Sequence, residues 1–425
     1  MSMKNLLVEL FVEELPPKAL KKLGEAFSAT LAASLKGQGL AAADAAVTAY
    51  ASPRRLAAHV AAVSAKAADK SVQQKLMPVT VALDASGAPT PALLKKLAAL
   101  GQDASVVPQL QRKPDGKAEA LFLDSVVPGV ALAEGLKKAL DEALARLPIP
   151  KVMSYQLADG WTSVNFVRPA HGLVALHGAE VVPITVLGLE AGRTTQGHRF
   201  EAASPVVTLR DADSYAAQLR DEGAVIAGFA ERRAEIVRQL AEQAAAQGLA
   251  PIDDDALLDE VTALVERPNV LRCQFEAQFL DVPQECLILT MKANQKYFPL
   301  LDAAGKLTRH FLVVSNIAPA DATAVIQGNE RVVRPRLADA KFFFDQDRKR
   351  TLASRVEGLN KVVYHGKLGS QGERMERVRA IGHAIVKLLS DATVPFTVEA
   401  QDQFAVLDSK VREAATLAKV DLLTD

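Results

Sequence analysis

A basic segment from residue 328 to residue 379 holds the side chains best suited to bind phosphate groups. It contains 13 Lys or Arg residues and 7 Asp or Glu residues, a local excess of six positive charges. Two groups stand out within it: Arg331, Arg334 and Arg336, then Arg348, Lys349 and Arg350. The spacing could align Arg331 and Arg334, with Arg336 as a further candidate, in a phosphate-binding strip along one side of a helix, whereas a solvated helix face is the commoner explanation of such a charge run. Three phenylalanines at 342–344 lie between the groups, and we expect them to face the core.

Lys292 and Lys296 belong to a second segment with the chemistry of nucleic-acid contact. Amide side chains lie between them, and two aromatic residues follow at Tyr297 and Phe298. Lysines can pair with phosphates while aromatic rings stack on bases. The alternative is the end of an amphipathic helix whose aromatic side chains lie in the core.

Two polar turns provide further candidates: Arg168 with His171, and His198 with Arg199. Arg168 and His171 could approach each other around a proline turn. His198 and Arg199 follow Gly197, which permits close approach of a phosphate or a nucleic-acid backbone. A charged hairpin loop, in which His198 bonds locally, is the alternative for the second turn. Because no nucleophilic Ser or Cys motif accompanies these residues, we predict no catalytic residue.

The sequence offers no evident ligand set for a metal ion. Cys273 and Cys286 form no C-x-x-C pair, and the seven histidines do not cluster. Three aspartates at 253–255, and Asp345 with Asp347, could hold magnesium, but we favour a helix cap and a solvated turn. The glycines and lysine at 366–370 lack the order of a phosphate-binding loop. We therefore expect this chain to bind no metal and no cofactor.

Length and charge limit the classes of protein that are possible. A chain of 425 residues exceeds the roughly 250 to 300 residues that one core organises, so two or three domains are expected. Its 50 basic and 50 acidic residues balance, so nucleic-acid binding would need a local patch. No run approaches the roughly 20 apolar residues of a membrane helix, and Glu9 interrupts the apolar start. We expect a cytoplasmic protein without a membrane partner.

Residues 1–150 are predicted to form a mixed α/β region. Asn5 to Val12 suits a strand, because the prolines at 16 and 17 stop pairing. A helix follows from Pro17 to near Gly37, with Leu20, Leu23, Phe27, Leu31 and Leu35 on one face. Strand is favoured over helix in 41–68. Two further helices are predicted at 90–100 and 131–147, and the pair Pro148 and Pro150 marks the first boundary.

Residues 151–325 are predicted to form a second mixed α/β region, and 326–425 a helical one. The β-like runs of the second region are 181–189, 206–209, 270–275 and 310–317, and a helix is predicted over 224–247. After residue 320 the pattern is almost wholly helical, with breaks at Gly366, Gly369, Gly372 and Pro395. The fold class is therefore α+β and multidomain.

Ordered motifs along nearly the whole chain resemble the β subunit of bacterial glycyl-tRNA synthetase. The opening LLVELFVEELPPKAL at 6–20 is close to the start of that family, and so is SPRRLA at 52–57. Further matches lie at 166–171, 197–200, 257–262, 264–266, 290–292, 295–298, 314–317, 328–331, 336–340 and 367–369.

The resemblance implies part of a glycine-tRNA ligase, which uses ATP to join glycine to its tRNA in an α2β2 assembly. In that family the α subunit makes the glycyl-adenylate with ATP and Mg²⁺, whereas the β subunit binds tRNA(Gly) and docks to α. An isolated β fragment is then expected to be non-catalytic. The family further implies a region similar to the B3/B4 region of phenylalanyl-tRNA synthetase, an HD-type helical domain and a C-terminal anticodon-binding domain.

Three departures from the family limit what the resemblance implies. Ser154 and Tyr155 stand where an arginine and a tryptophan usually follow the methionine. Val420 stands where an HD-type domain would have a metal-binding histidine, and Asp421 alone cannot hold a metal. The sequence stops within a family motif at 422–425, so the rest of the HD-like domain and the anticodon-binding domain are expected beyond it.

Two other functions remain open on the sequence alone. One is an HD-type phosphohydrolase that acts on nucleotides or tRNA ends. The other is a purely structural module that holds the α subunit without contacting RNA.

Overall fold

The computed structural model describes residues 3–84, 86–115, 118–149 and 151–424, which form two compact units. The first unit contains the residues up to Leu240, Asp253–Val270 and Val314–Ala320. The second contains Ala241–Ile252, Leu271–Val313 and the residues from Asp321 onward. The sequence predicts three consecutive regions with boundaries near residues 150 and 325. The two units are arranged differently along the chain, because the chain leaves the first unit and returns to it twice. Pro150 lies outside the described residues.

Up to residue 149 the described chain follows the predicted elements closely. Its strands are β1 Met3–Val12, β2 Val47–Ser52, β3 Arg55–Ser64, β4 Lys70–Pro78, β5 Gln111–Asp115 and β6 Ala118–Val127. Its helices are α1 Pro17–Gly37, α2 Val79–Ala82, α3 Pro91–Ala99 and α4 Leu132–Ala145. The first strand, the strand preference in 41–68 and all three predicted helices are confirmed.

From residue 151 to residue 252 the strands are short. They are β7 Met153–Gln156, β8 Ser163–Phe166, β9 Ala170–His177, β10 Glu180–Val181, β11 Thr185–Val186, β12 Leu189–Gly192, β13 Thr194–Gln196, β14 Val206–Thr208 and β15 Ala250–Pro251. The helices are α5 Tyr215–Asp221 and α6 Phe229–Ala245. Helix α6 therefore begins at Phe229, five residues after the predicted start at residue 224. Ala224 has a φ of 53°, a left-handed conformation that no α-helix accommodates.

The remaining strands are β16 Asn269–Gln274, β17 Phe298–Leu301, β18 Leu307–Ser315, β19 Val363–His365 and β20 Gly369–Ser370. The helices are α7 Asp255–Thr262, α8 Gln284–Gln295, α9 Thr323–Asp347, α10 Gln371–Asp391 and α11 Val398–Leu417. The prediction that the chain is almost wholly helical after residue 320 is wrong at the β19–β20 hairpin. Gly369 has a φ of 83°, a conformation that suits the tight turn of this hairpin. The predicted mixture of helices and sheets is confirmed. No helix within the described ranges is long and apolar enough to cross a membrane.

Members of the two aspartate groups that were considered as magnesium ligands have structural roles. The carboxylate of Asp254 accepts a hydrogen bond from the Leu257 amide at 2.9 Å, which confirms a helix cap at the start of α7. Asp345 and Asp347 lie in the last turn of α9 rather than in the predicted turn, and Asp345 pairs with Lys341 at 3.2 Å. Groups of three or more His, Cys, Asp or Glu placed to hold a metal are absent from the described residues.

Strand β1 is the central strand of the sheet in the first unit. The sheet order is β11-β12-β9-β1-β3-β2, and β1 pairs antiparallel with both neighbours. Leu6, Val8 and Leu10 face one core with helices α1 and α4, whereas Leu7 faces another core. Burial on both faces explains why this strand has little apolar and polar alternation in the sequence. It also places the carboxylate of Glu9 in the interior, where it is 1% exposed.

Helix α1 packs its predicted apolar face against this sheet. Leu20, Leu23, Phe27, Leu31 and Leu35 are all buried, as the helical spacing predicts. Gly24 lets the helix approach β2, because a Cβ built at that position would lie 2.6 Å from Cβ of Ala51. Helix α1 is thus fixed to the sheet by a continuous row of side chains.

In the second unit, α8 and α9 share a core with the sheet of order β15-β17-β18-β16. Val333 and Leu337 of α9 are fully buried in this core together with Phe311. They lie one turn apart, so the opposite side of α9 faces away from the core. Arg331 lies on that side, and Arg334 and Arg336 lie along the two edges of the buried stripe.

Replacing Phe27 with alanine should lower the free energy of unfolding by about 3 to 5 kcal/mol, because the ring is fully buried between α1 and the sheet. Urea denaturation of the 425-residue chain measures this change. Phe200→Ala is the matched control, since that ring is 76% exposed and its loss should cost no more than about 0.5 kcal/mol. Equal effects of the two substitutions would contradict the described core.

Candidate functional site

Helix α9 carries the first basic group on an exposed surface. Arg331, Arg334 and Arg336 are all exposed, and the Arg334 guanidinium donates to the carboxylate of Glu276. Arg331 and Arg334 lie three residues apart, about 60° around the helix axis. Arg334 and Arg336 lie two residues apart and therefore project about 160° from each other. Arg336 does not belong to the predicted single strip, so the basic surface spans more than one side of the helix.

The second basic group follows directly after the end of α9. Arg348, Lys349 and Arg350 are exposed, and the ammonium of Lys349 donates to the side-chain oxygen of Gln346 at 3.0 Å. The guanidinium carbon of Arg348 lies 5.5 Å from the centre of the Phe344 ring, a cation–π contact. Both groups therefore present cations to solvent from one continuous segment.

The phenylalanines at 342–344 do not share one environment. Phe344 packs against the core, but Phe342 is 57% exposed and Phe343 is 44% exposed. The prediction that all three face the core is wrong for these two. Consecutive residues of an α-helix project about 100° apart, so three in a row cannot all face one core.

Lys292 and Lys296 lie at the end of α8, as the helix-end alternative predicted. Lys296 has a left-handed φ of 60° and its ammonium donates to the carbonyl of Ala293 at 3.1 Å. Tyr297 is buried against Phe311, and its hydroxyl donates to Asn329 at 2.8 Å. The two aromatic rings of this segment are thus core residues and are not accessible for base stacking.

The two polar turns have separate local partners. Arg168 donates to the carbonyl oxygens of Glu14 and Val167 at 3.1 and 3.0 Å, whereas His171 bonds Glu13 at 3.0 Å. No hydrogen bond between described residues joins Arg168 to His171. The proline turn therefore directs them to different neighbours.

His198 is a buried residue of the hairpin formed by β13 and β14. Its Nδ1 accepts hydrogen bonds from the amides of Phe200 and Glu201 at 3.2 and 3.1 Å, the local bonding that the hairpin alternative predicted. Since both donors are backbone amides, the neutral ring carries its proton on Nε2, a buried atom without a partner in the described residues. Arg199, the next residue, is exposed.

The first unit contains a cleft of about 380 Å³ that collects several of the sequence motifs. Five separate parts of the chain line it. They are residues 14–17, residues 53–54, residue 168, residues 263, 264 and 266, and residue 316. Each part belongs to a motif on which the family resemblance rests. Arg54 and Glu266 form one charged wall of the cleft, and Glu14 and Arg168 are its other charged lining residues.

A buried network of charges holds this wall in place. Arg55 donates to Glu266 Oε1 at 2.5 Å, and its Nε lies 3.4 Å from Glu9 Oε2. Arg54 donates to Glu266 Oε2 at 2.7 Å and to the Gly197 carbonyl at 3.1 Å. Two guanidinium groups and two carboxylates thus balance each other in the interior, which satisfies the condition for burying charge.

Further hydrogen bonds complete the network around Glu9. The hydroxyl groups of Thr195 and Tyr215 both donate to its carboxylate. Burial and the charge of Glu9 raise the pKa of Tyr215 well above its ordinary value, so the hydroxyl keeps its proton and remains a donor.

Arg232 ties three further backbone segments to the same region. Its guanidinium donates to the carbonyl oxygens of Thr262, Ile226 and Ala51 at 2.9, 2.7 and 2.8 Å. Burial lowers the pKa of Arg232 to about 9, which still leaves the side chain charged at neutral pH. Arg232, Glu266 and Tyr215 belong to no site that was predicted from the sequence.

The family comparison agrees with the motifs that meet at this cleft. A family model described as "Glycyl-tRNA synthetase beta subunit" matches residues 6–425, so the chain belongs to this family of aminoacyl-tRNA synthetase subunits. The chain is 80% identical over 425 residues to the glycine-tRNA ligase beta subunit of Leptothrix cholodnii, covering 100% of this chain and 60% of the relative. It is 69% identical over 442 residues to that of Acidovorax ebreus, with the same coverage. It is 68% identical over 425 residues to that of Thiobacillus denitrificans, with 59% of the relative covered.

The chain thus spans about 60% of the length of the curated relatives that it matches. The motifs quoted from the sequence resemble the family that the comparison identifies. The similarity to B3/B4 regions and to HD-type domains remains a prediction.

Replacing Glu266 with glutamine should lower the free energy of unfolding by about 3 to 5 kcal/mol near neutral pH, because two buried guanidinium groups lose their shared carboxylate. Burial would raise the pKa of Glu266, but Arg55 and Arg54 hold it below its ordinary value of 4.5. Its stabilising effect is therefore present above pH 4.5 and is lost as the pH falls through the lowered pKa. Denaturation at a series of pH values should show that the free energy of unfolding of the wild type falls at acidic pH. In the variant this free energy should depend less on pH.

Glu180→Gln is the control for that substitution. Glu180 pairs with Lys4 at 3.0 Å and its side chain is 77% exposed, so the change should cost at most about 1 kcal/mol. A Glu266→Gln variant with the stability and the acid transition of the wild type would contradict the network.

Proposed function

We propose that this chain binds tRNA(Gly) and docks to the α subunit of a glycine-tRNA ligase, and that it performs no aminoacylation by itself. In this proposal ATP and Mg²⁺ act on the separate α chain, and the assembly is an α2β2 complex in the cytoplasm. Membership of the β-subunit family supports the proposal. The name of that family specifies a tRNA ligase and a subunit that works with another.

The observation that carries tRNA binding is the exposed basic surface of the second unit. Arg331 and Arg334 share one side of α9, Arg336 extends the surface, and Arg348 to Arg350 continue it past the end of the helix. Guanidinium groups on a rigid helix suit phosphate contact because each offers several donors in a fixed plane. A chain with a formal net charge of zero can bind RNA only through such a local patch.

The buried network of the first unit supports a structural rather than a catalytic role there. Arg54, Arg55 and Glu266 use their charged atoms on one another. A general acid or base needs a free face toward a substrate proton. We therefore propose that the network fixes the shape of the cleft and that phosphate contacts lie on the second unit.

Replacing Arg331, Arg334 and Arg336 with alanine should weaken binding of a tRNA(Gly) transcript and reduce its dependence on salt. The slope of the logarithm of affinity against the logarithm of salt concentration should fall by about 1 for each arginine that meets a phosphate. Fluorescence anisotropy between about 50 and 200 mM salt measures both quantities.

The matched control replaces Arg220, Arg238 and Arg267, which line a separate cleft of the first unit. This variant loses the same charge and should keep the salt slope of the wild type. Equal losses in the two triple variants would mean that total charge, not the surface of α9, determines binding. Unchanged affinity in the α9 variant would move the tRNA site elsewhere.

A further inference from the structure

The cleft beside Arg54 in the first unit has more hydrogen-bond donors than its own residues use. Arg54 makes both of its hydrogen bonds through Nη2, so its Nε and Nη1 have no acceptor among the described residues. Neither atom is fully buried, although the whole side chain is only 11% exposed. Because Arg54 lines the cleft, a ligand there can accept hydrogen bonds from these atoms.

Two other lining residues have spare donors. The side-chain oxygen of Asn316 accepts from the amides of Glu266 and Arg267 at 2.7 and 3.3 Å, and its NH2 group donates to no described residue. Arg168 donates through Nε and Nη1, and its Nη2 likewise has no described acceptor. Donors from three distant parts of the chain therefore meet at one cleft.

Much of the remaining lining is apolar. Pro16, Pro17 and Pro53 have no amide N–H, and the carbonyl oxygens of Pro16 and Pro53 already accept backbone hydrogen bonds at 3.0 and 2.7 Å. Leu264, which also lines the cleft, is 45% exposed. The cleft thus combines a set of donors with an apolar surface.

The buried charges behind the cleft do not cancel. The buried arginines and glutamates described in the first unit are Arg54, Arg55, Arg232, Glu9 and Glu266, three cations and two anions. The guanidinium of Arg232 donates only to backbone carbonyl oxygens and to no described carboxylate. One positive charge is therefore in excess, and the low dielectric of the interior strengthens its field in the cleft.

The charged groups at the opening of the cleft balance one another. Arg168 and Glu14 both line it, and the neighbouring Glu13 pairs with His171 at 3.0 Å. The excess charge of the interior thus attracts one negative charge, whereas the carboxylate of Glu14 would repel a second one.

A carboxylate joined to an apolar group suits this cleft. It has one negative charge and two oxygens that accept from guanidinium and amide N–H groups, and its apolar part can lie against Leu264 and the prolines. A phosphate has no apolar part, so the prolines would displace its water without replacing the lost hydrogen bonds. The volume of about 380 Å³ lies in the range of small-molecule sites.

We infer that this cleft is a binding site for a carboxylate with an apolar substituent, held by Arg54, Arg168 and Asn316. The carboxylate belongs either to a free organic acid or to the C-terminus of a polypeptide. The site is distinct from the basic surface of α9, so the inference does not depend on the proposed tRNA binding.

Probe ligands test this with the 425-residue chain by ligand-observed NMR. N-acetyl-leucine supplies the carboxylate and the apolar group, N-acetyl-leucinamide lacks only the charge, and inorganic phosphate lacks the apolar group. A short peptide with a free C-terminal leucine is compared with N-acetyl-leucine to distinguish the two sources of the carboxylate. The protein variants are Leu264→Asp, the uncharged Leu264→Asn, and Leu289→Asp, which places the same charge on an exposed residue of α8 in the second unit.

N-acetyl-leucine should bind the wild type at least about 10-fold more tightly than N-acetyl-leucinamide or phosphate, because only it offers both the charge and the apolar group. Leu264→Asp should weaken this binding by roughly 10- to 100-fold through repulsion of the carboxylate. Leu264→Asn should weaken it less, and Leu289→Asp should bind as the wild type does. Tighter binding of the peptide would identify a chain end as the ligand, and tighter binding of N-acetyl-leucine would identify a free acid.

The inference is overturned if neither N-acetyl-leucine nor the peptide binds saturably, or if the amide or phosphate binds as tightly as N-acetyl-leucine. These comparisons use the wild type, so they do not depend on the folding of a variant. Equal effects of Leu264→Asp and Leu289→Asp would also overturn it, because the ligand would then lie outside the cleft. All variants should bind tRNA(Gly) as the wild type does, so a failure here leaves the proposed function standing.

Discussion

The first unit depends on one buried cation, the guanidinium of Arg55, which is 1% exposed. It lies between the carboxylates of Glu9 and Glu266 and also donates to the carbonyl of Gln196. A buried charge is stable only while every partner stays in place, because each unpaired group would carry its full cost of desolvation. Arg55 therefore fixes the positions of strand β1, the β13–β14 hairpin and the segment that follows α7. The cleft beside Arg54 takes its shape from this arrangement.

Much of the framework around Arg55 could be predicted because it follows from short-range patterns. The apolar spacing along α1 and the prolines at its start determine that helix locally, and the apolar run of β1 determines a strand. The late start of α6 and the β19–β20 hairpin could not be predicted in the same way. Both depend on backbone conformation at one or two residues, Ala224 and Gly369, which the apolar pattern does not report.

The candidate sites were harder to predict because their members meet only in the folded chain. Arg55 and Glu266 are separated by 211 positions, and neither has a local signal of its partner. Glu9 did have a local signal of a partner, because a carboxylate inside an apolar strand needs a buried counter-charge. The basic residues of α9 were identified from the sequence. The three consecutive phenylalanines were wrongly expected to face one core, although the rotation of about 100° per residue in a helix already directs them to different sides. The motifs resembling the glycyl-tRNA synthetase β family identified the family without showing which of their residues meet.

We propose that tRNA contacts the second unit through α9 and the basic residues after it. Ultraviolet cross-linking of tRNA(Gly) to the chain, followed by mass spectrometry of the linked peptides, tests this without any substitution. We expect cross-linked peptides from residues 323–350. Cross-links confined to peptides of the first unit, such as those around Arg168 or Arg199, would contradict it.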